Sequence, residues 1–533
     1  MRFSKKKKPL SLINKAQTAM FLVAFCCLLP HQVAAQVNQA NVASTLPQLG
    51  DGSEMTSSAE RRLGDRIARE LYRDPDFVDD PVLGDYVQSI WQPLLAAARL
   101  RGDLTPELDE RFAWRIVLGR DRSVNAFALP GGYLGVHLGL MAVVNSRDEL
   151  ASVLGHELSH VTQRHIARLM AKNSQQTPWM IGAMILGALA ASKNADTGNA
   201  LIVGGQAIAT QTQLNFSRDM EREADRVGFG VMTQAGFEAQ GFVSMFDKLQ
   251  QASRLNDSGA YPYLRSHPLT TERIADMQSR LPLGAPQVNN TPTMTHAILT
   301  ARARVLSNPG AEAMRNWQAQ ADDVALTRQS PAIQAGVHYG AAMAASRLRE
   351  AAKARKHFEQ LQRIVAADHE AALQTRWLGV EIGLLARDLS RPQVLALGQT
   401  VGLAPADPMP QRRPELLLQA QIAMQAGQTE ALDTVVQRLQ TWVAVTPHDA
   451  LAWQWLGSLY AAQNHPLRAL RAEAEARIAQ LDYAGALDRL KAAQERLRDT
   501  SAQEASADHI DASIIDTRRR QIEALLKEQA KEG

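Results

Sequence analysis

Along most of the chain, apolar side chains recur every three to four positions on an Ala- and Leu-rich background, the spacing of a helix with one buried face. The pattern predicts helices over 59–72 and 82–100. The period then shortens. Arg111 to Gly119 alternates and reads as a strand, and Asn125–Ala128 and Gly132–Leu138 read as two more short strands joined at the Pro130-Gly131 turn. Helical spacing returns from Glu149 to Met170. It returns again at Ser217–Gly228, a charged stretch free of Pro. After a run rich in Pro, Gly, Asn and Thr from Leu281 to Met294, the chain to Gly533 is a series of amphipathic helices. The expected fold class is mainly α (α+β), with a small β-sheet in the first part and an α-helical array in the second.

That array carries a repeat signal. Trp453-Gln454-Trp455-Leu456-Gly457-Ser458-Leu459-Tyr460 fits the W-x₂-L-G-x₂-Y start of a tetratricopeptide repeat. Tyr483 to Leu487 reads as a second-helix start, and Arg347–Phe358 and Ala420–Leu432 are weaker copies. The spacing is irregular, and Pro466 is expected to interrupt one helix start. A TPR-like solenoid and a generic helical bundle both remain open on this pattern. Stacked repeats would offer a concave surface suited to holding another protein.

A length of 533 residues is too great for one core and implies several domains. The boundaries read as a signal peptide over 1–35, a flexible mature N-terminus over 36–58, a first folded domain over 59–282 and a helical repeat domain over 295–533. The signal is expected from basic Lys5 to Lys8 and Lys15, the apolar run Ala19–Leu29, and small residues at Val33-Ala34-Ala35 before Gln36. That apolar run is shorter than the roughly 18 residues a spanning helix needs. Both cysteines, Cys26 and Cys27, lie within it, so the mature chain would hold no disulfide in an oxidising compartment. The signal also holds six basic residues and no acidic one, so its removal takes the net charge from +3 to −3. Charge therefore gives no support to a nucleic-acid partner.

The chemistry is concentrated at His156-Glu157-Leu158-Ser159-His160, an H-E-x-x-H within predicted helix. Residues four apart share a helix face, so two imidazoles can grip one Zn²⁺, and the intervening Glu157 can act as general base towards a water at the metal. A catalytic zinc needs a third protein ligand and one open position. Within Ser217 to Gly228, Glu221, Glu223 and Asp225 are the candidates. Glu221 and Asp225 share a face and Glu223 points elsewhere, but each could equally sit on a solvated face beside Arg218 or Arg222. Spacing alone leaves the third ligand open.

H-E-x-x-H followed by S-R-x-x-E-x-E-A-D at 217–225, and preceded by Asn125-Ala126-Phe127-Ala128-Leu129-Pro130-Gly131-Gly132, resembles the M48 family of zinc peptidases over roughly residues 60–280. The resemblance implies a zincin-type metallopeptidase domain with one Zn²⁺ per chain. It implies His156, His160 and Glu221 as metal ligands, Glu157 as the catalytic base, and Asp225 as a catalytic-shell residue or proton donor. It also casts Asn125, Ala126, Phe127 and Ala128 as an edge strand that holds an extended substrate by β-augmentation; an ordinary hairpin packed on the zinc helix is the other reading. His267, in Ser266-His267-Pro268, recurs in the family's S-H-P context. As a fourth ligand it would latch the site shut; it could instead stabilise an oxyanion or be structural.

The order of signal, M48-like domain and repeats resembles that of Gram-negative envelope members of the family. It implies unfolded or misfolded outer-membrane proteins as substrates, the outer-membrane barrel-assembly machinery as partner, and an accessory chaperone activity. A chaperone or assembly scaffold whose zinc site is kept shut is the rival reading. The apolar runs Pro178–Ala191 and Ala200–Ala209 read as a buried helix or hairpin; a mobile lid or a peripheral membrane contact through 178–209 is the other reading.

Overall fold

The helical periodicity resolves into capped helices. The computed structural model describes residues 55–172, 216–254, 260–281, 292–386, 389–498 and 509–531. The expected signal, most of the 36–58 segment, the apolar insert 178–209 and most of the 281–294 linker lie outside the described residues. Helix α1 (Ser57–Arg73) starts at Thr56, whose hydroxyl accepts from the Ala59 N–H. Helix α2 (Pro81–Arg101) starts at Asp80 with Pro81 in its first turn, where a missing N–H leaves no bond unmade, and ends at Gly102 with φ 78°.

Between and after these helices lies a four-stranded sheet: β1 (Phe77–Val78), β2 (Arg115–Gly119), β3 (Ala126–Leu129) and β4 (Tyr133–His137), in the order β1-β2-β4-β3. β2 and β4 run parallel, and the other pairs are antiparallel. The strand expected from Arg111 begins only at Arg115, because Thr105 and Pro106 start a short helix α3 (Pro106–Arg111) that Arg111 ends. The next strand is shifted by one residue from Asn125–Ala128 to Ala126–Leu129. Gly131 and Gly132 turn the chain from β3 into β4 with φ of 71° and 85°, a backbone that side chains with a Cβ rarely adopt. Among the described residues β3 is an edge strand, last in the sheet order.

After α4 (Leu138–Val143), helix α5 (Arg147–Thr162) carries the H-E-x-x-H motif. Ser146 caps it, and buried Glu149 in its first turn pairs with Lys248 at 2.7 Å. The helix expected to run on to Met170 breaks at Arg164, whose φ is 53°, and restarts as α6 (His165–Lys172). Then follow α7 (Arg218–Gln234), capped by Ser217, α8 (Gln240–Arg254), α9 (Tyr263–Ser266) and α10 (Thr271–Ser279). α5 and α7 cross at Gly155 and Gly228. A Cβ on Gly228 would lie 2.9 Å from backbone atoms of Gly155 and His156.

The remainder is helical, as expected: α11 (Met294–Ser307), α12 (Ala311–Ala321), α13 (Pro331–Arg347), α14 (Ala351–Val365), α15 (His369–Leu385), α16 (Arg391–Gln399), α17 (Arg413–Ala426), α18 (Thr429–Val445), α19 (Ala450–Ala462), α20 (Pro466–Ala479), α21 (Tyr483–Arg498) and α22 (His509–Lys531). Pro466 begins α20 rather than interrupting it, since the first turn tolerates proline. The weaker repeat copies straddle inter-helix turns, at Arg349 and at Gly427, both with positive φ. No described helix is long and apolar enough to cross a membrane.

One apolar core joins the two parts. It runs from Ile90 and Trp91 of α2 through Leu154 and Leu158 of α5 to Leu299, Trp377, Leu417 and Leu456 of the helical array. Arginines span the same seam. Arg302, 3% exposed, makes paired hydrogen bonds to Asp80 at 2.8 and 2.7 Å and to Glu381 at 2.9 and 2.7 Å, and a further one to the Tyr339 hydroxyl. Arg413 bridges Asp79 and Asp449 in the same way. Removing one partner of such a buried cluster strands its charges. Arg302→Ala is expected to destabilise the protein by about 3–5 kcal/mol, read as a lowered urea midpoint; an unchanged midpoint would show that the seam carries no stability.

Candidate metal centre

Four side chains from three elements converge. The 3.6-residue period of α5 sets His156 and His160 on one face, with their Nε2 atoms 3.0 Å apart. α7 brings in Glu221, its carboxylate oxygens 3.5 Å from His156 Nε2 and 3.4 Å from His160 Nε2. The turn after α9 brings in His267, with Nδ1 3.3 Å from His156 Nε2 and 3.0 Å from Glu221 Oε1. Potential ligand atoms of all four lie within 4.8 Å of one another, and all four residues are buried. The spacing of sequence motifs is thus realised in space, with His267 brought into the same cluster.

This donor set fits Zn²⁺. Three imidazole nitrogens and one carboxylate are the N/O ligands zinc takes in four-coordinate sites. Burial works against charge here, and the groups respond as a cluster. Burial alone would raise the Glu221 carboxyl, but the surrounding His267, His156 and His160 hold it well below the usual range. Burial pushes His160 well below the ordinary imidazole value. His156 goes the other way, pushed up to about 10, because Asp225 and Glu221 outweigh its burial.

A second layer grips the ligands from behind. Asp225 Oδ1 lies 2.9 Å from His156 Nδ1. Arg273 holds that carboxylate with two hydrogen bonds, of 2.6 and 2.7 Å, and its third nitrogen lies 2.7 Å from Glu221 Oε2. Burial would raise the Asp225 carboxyl, yet Arg273 and His156 outweigh it and keep it low. Asp225 is thus set up to be ionised. On the other side, His165 Nδ1 lies 2.8 Å from His160 Nδ1, and its Nε2 is 3.1 Å from Glu223, which also binds Arg168. A metal-binding imidazole is commonly fixed by such a partner on its other nitrogen. The sequence singles out neither His165 nor a role for Arg273, which it offers only within Glu272-Arg273-Ile274, and its spacing sends Glu223 elsewhere. His165 is within a turn and a half of His160, but only the break at Arg164 turns it back.

Glu157 is fully buried, and neither of its carboxylate oxygens has a hydrogen-bond partner among the described residues. Its nearest polar neighbour of this cluster is His267 Nε2, at 3.5 Å. His267 therefore faces the ligands with one nitrogen and Glu157 with the other, its ring stacked on Tyr263. β3 packs beside α5 and leads out of Asn125, whose carbonyl accepts from the His137 N–H. The motif strand and the zinc helix are thus neighbours.

The crossing of α5 and α7 sets the distance from Glu221 to the two imidazoles. Gly228→Val should push α7 off α5 and weaken zinc binding by roughly 10- to 100-fold, the scale of other changes outside the ligand set, with helical circular dichroism retained. Glu221→Ala should weaken it further. Wild-type zinc affinity in either variant would remove the corresponding part of the geometry.

Comparison with known proteins agrees with this centre. Residues 85–281 match peptidase family M48. The beta-barrel assembly-enhancing protease of Escherichia coli is 29% identical over 482 residues, covering 88% of this chain and 91% of that protein. A Vibrio cholerae counterpart is 33% identical, over 59% of this chain and 63% of its own length. The mitochondrial metalloendopeptidase OMA1 of Arabidopsis thaliana is 28% identical over 43% of this chain and 44% of its own. The OMA1 match covers less than half of either chain, whereas the E. coli match runs on through most of the helical array. Residues 85–281 are therefore a family M48 peptidase domain, and the chemistry that domain carries is that of a zinc metalloendopeptidase.

Proposed function

We propose that this protein is a periplasmic endopeptidase that hydrolyses misfolded or stalled outer-membrane proteins during their assembly, with the helical array binding partners. The observation that carries the reading is the convergence of His156, His160, Glu221 and His267 beside the buried carboxylate of Glu157, which has no hydrogen-bond partner among the described residues. A zinc ion held by His156, His160 and Glu221 would supply Lewis acidity to a peptide carbonyl and a water. Glu157 accepts the proton of that attacking water and delivers it to the departing amine. Asp225, kept ionised by Arg273, steadies His156 in the orientation that leaves Nε2 for the metal; an ionised carboxylate is a poor proton donor, which favours this role over the donor one. Asn125, Ala126, Phe127 and Ala128 line the substrate's path, since among the described residues β3 has a partner strand on one side only and an extended backbone can pair with the other.

Support for the setting comes from elsewhere. The similar E. coli protein is named for enhancing barrel assembly, and the N-terminal residues read as a secretory signal. The barrel-assembly machinery is the partner this suggests, and the seam of shared core gives the array a fixed relation to the peptidase domain. The position of His267 favours a resting state that is closed. As a fourth ligand it takes the place a water needs. That same closure keeps a second reading open, in which the protein acts chiefly as a chaperone or scaffold.

Two substitutions separate these readings. Glu157→Gln should retain zinc and lose roughly 10²–10⁴-fold in cleavage of an unfolded outer-membrane protein. If cells carrying it assemble outer-membrane proteins normally, the scaffold reading takes over. His267→Ala should raise cleavage, including self-cleavage, at matched zinc content if His267 is a latch. A fall of roughly 10²–10³-fold would make it an oxyanion donor, and a change that merely follows thermal stability would make it structural.

A further inference from the structure

Away from the metal centre, a cavity of about 350 Å³ opens at the seam between the peptidase domain and the helical array. α11, α12 and α13 supply its apolar walls through Ala301, Val305, Trp317, Ile333 and Val337. Val144 and Asn145 close one side, immediately before Ser146, the residue that caps the zinc helix. Asn145, His296, Thr300, Arg304 and Gln320 add polar groups to that lining, and two of them offer a ligand unused hydrogen-bonding capacity. Thr300 is 8% exposed, and its hydroxyl has no hydrogen-bond partner among the described residues. Buried hydroxyls are normally paired, so this one is ready for a ligand's polar group. Arg304 stands at the rim with its Nε donating to the Ala142 carbonyl at 3.0 Å. Among the described residues no carboxylate balances its charge.

We propose that this cavity binds the C-terminal residue of a polypeptide, one with an apolar side chain. The free guanidinium nitrogens of Arg304 take the terminal carboxylate, the pairing for which that fork is best shaped. The apolar walls take the last side chain, and the Thr300 hydroxyl pairs with the amide of the same residue. A volume near the lower end of the roughly 300–1,000 Å³ of ligand pockets suits one or two side chains. A long-chain fatty acid offers the same carboxylate and apolar body, but its chain has no polar group for Thr300 and outgrows the space. The site shares no residue with the metal centre, so it stands whether or not the peptidase reading does.

The test is fluorescence anisotropy of a short peptide, labelled at its N-terminus and ending in Leu with a free carboxylate, titrated with the full zinc-loaded chain. The same titration in Glu157→Gln protein keeps cleavage from consuming the probe. The free acid should bind, and both C-terminal amidation and Arg304→Gln should weaken it at least about tenfold, as expected for losing a charge-assisted bond. Thr300→Val should weaken it less. Arg304 lies on the surface, so its variant should keep its circular dichroism and zinc content. No binding of the free acid, equal binding of the amide, or an Arg304→Gln protein that binds as well as wild type would each overturn the proposal. Decanoate displacing the peptide at equal concentration would overturn the assigned occupant in favour of a carboxylate amphiphile.

Discussion

A carboxylate buried to 1% exposure, Glu221, is what the rest of the centre is built around. An isolated buried charge is costly, and it persists only when paired and hydrogen-bonded. Here the pairing comes from three imidazoles on one side and Arg273 on the other. Bringing a charged helix that close to the H-E-x-x-H helix requires two backbones to touch, and only the facing glycines 155 and 228 allow it. The ligand geometry, the ion pair of Asp225 with Arg273, and the reach of His267 from the turn after α9 all depend on that crossing.

The helical array bears on this centre through shared packing. α11 packs against the short helix leading into α5, and His296 joins the Val144 carbonyl to the Tyr86 hydroxyl at 2.9 and 2.7 Å. Arg302 of α11 and Arg413 of α17 then tie Asp80 and Asp79, just before α2, to Glu381 of α15 and to Asp449 at the start of α19. A partner engaged by the array would therefore press on elements that hold the zinc helix in place.

Much of the site was legible before folding, for local reasons. His156, Glu157 and His160 lie on one turn and a third of helix, and the helix period alone fixes their relation. The turn after β3 was legible at Pro130-Gly131, because a Pro-Gly pair marks a turn, and Gly131 and Gly132 do take a left-handed backbone there. Glu221 was not distinguishable from Asp225 by spacing, since both occupy the same helix face. What separates them is reach: Glu221 meets the Nε2 atoms of both imidazoles, whereas Asp225 meets His156 Nδ1 from behind and is clamped there by Arg273, 48 positions on. His165 was hidden for a different reason: its helical periodicity hides the break at Arg164. The seam was illegible because Asp80 and Arg302 are 222 positions apart, and nothing local marks either as a partner of the other. Pro466 misled by its reputation; in a first turn proline starts a helix as readily as it ends one elsewhere.

The central claim is that one zinc is held by four protein side chains in the resting enzyme, with His267 the removable one. X-ray absorption at the zinc edge, on the purified full chain, tests it most directly. The account predicts a four-coordinate metal with three imidazole nitrogens and one carboxylate oxygen at about 2.0–2.2 Å, falling to two imidazoles in His267→Ala. A resting spectrum that already shows two imidazoles, with no change in that variant, would contradict it.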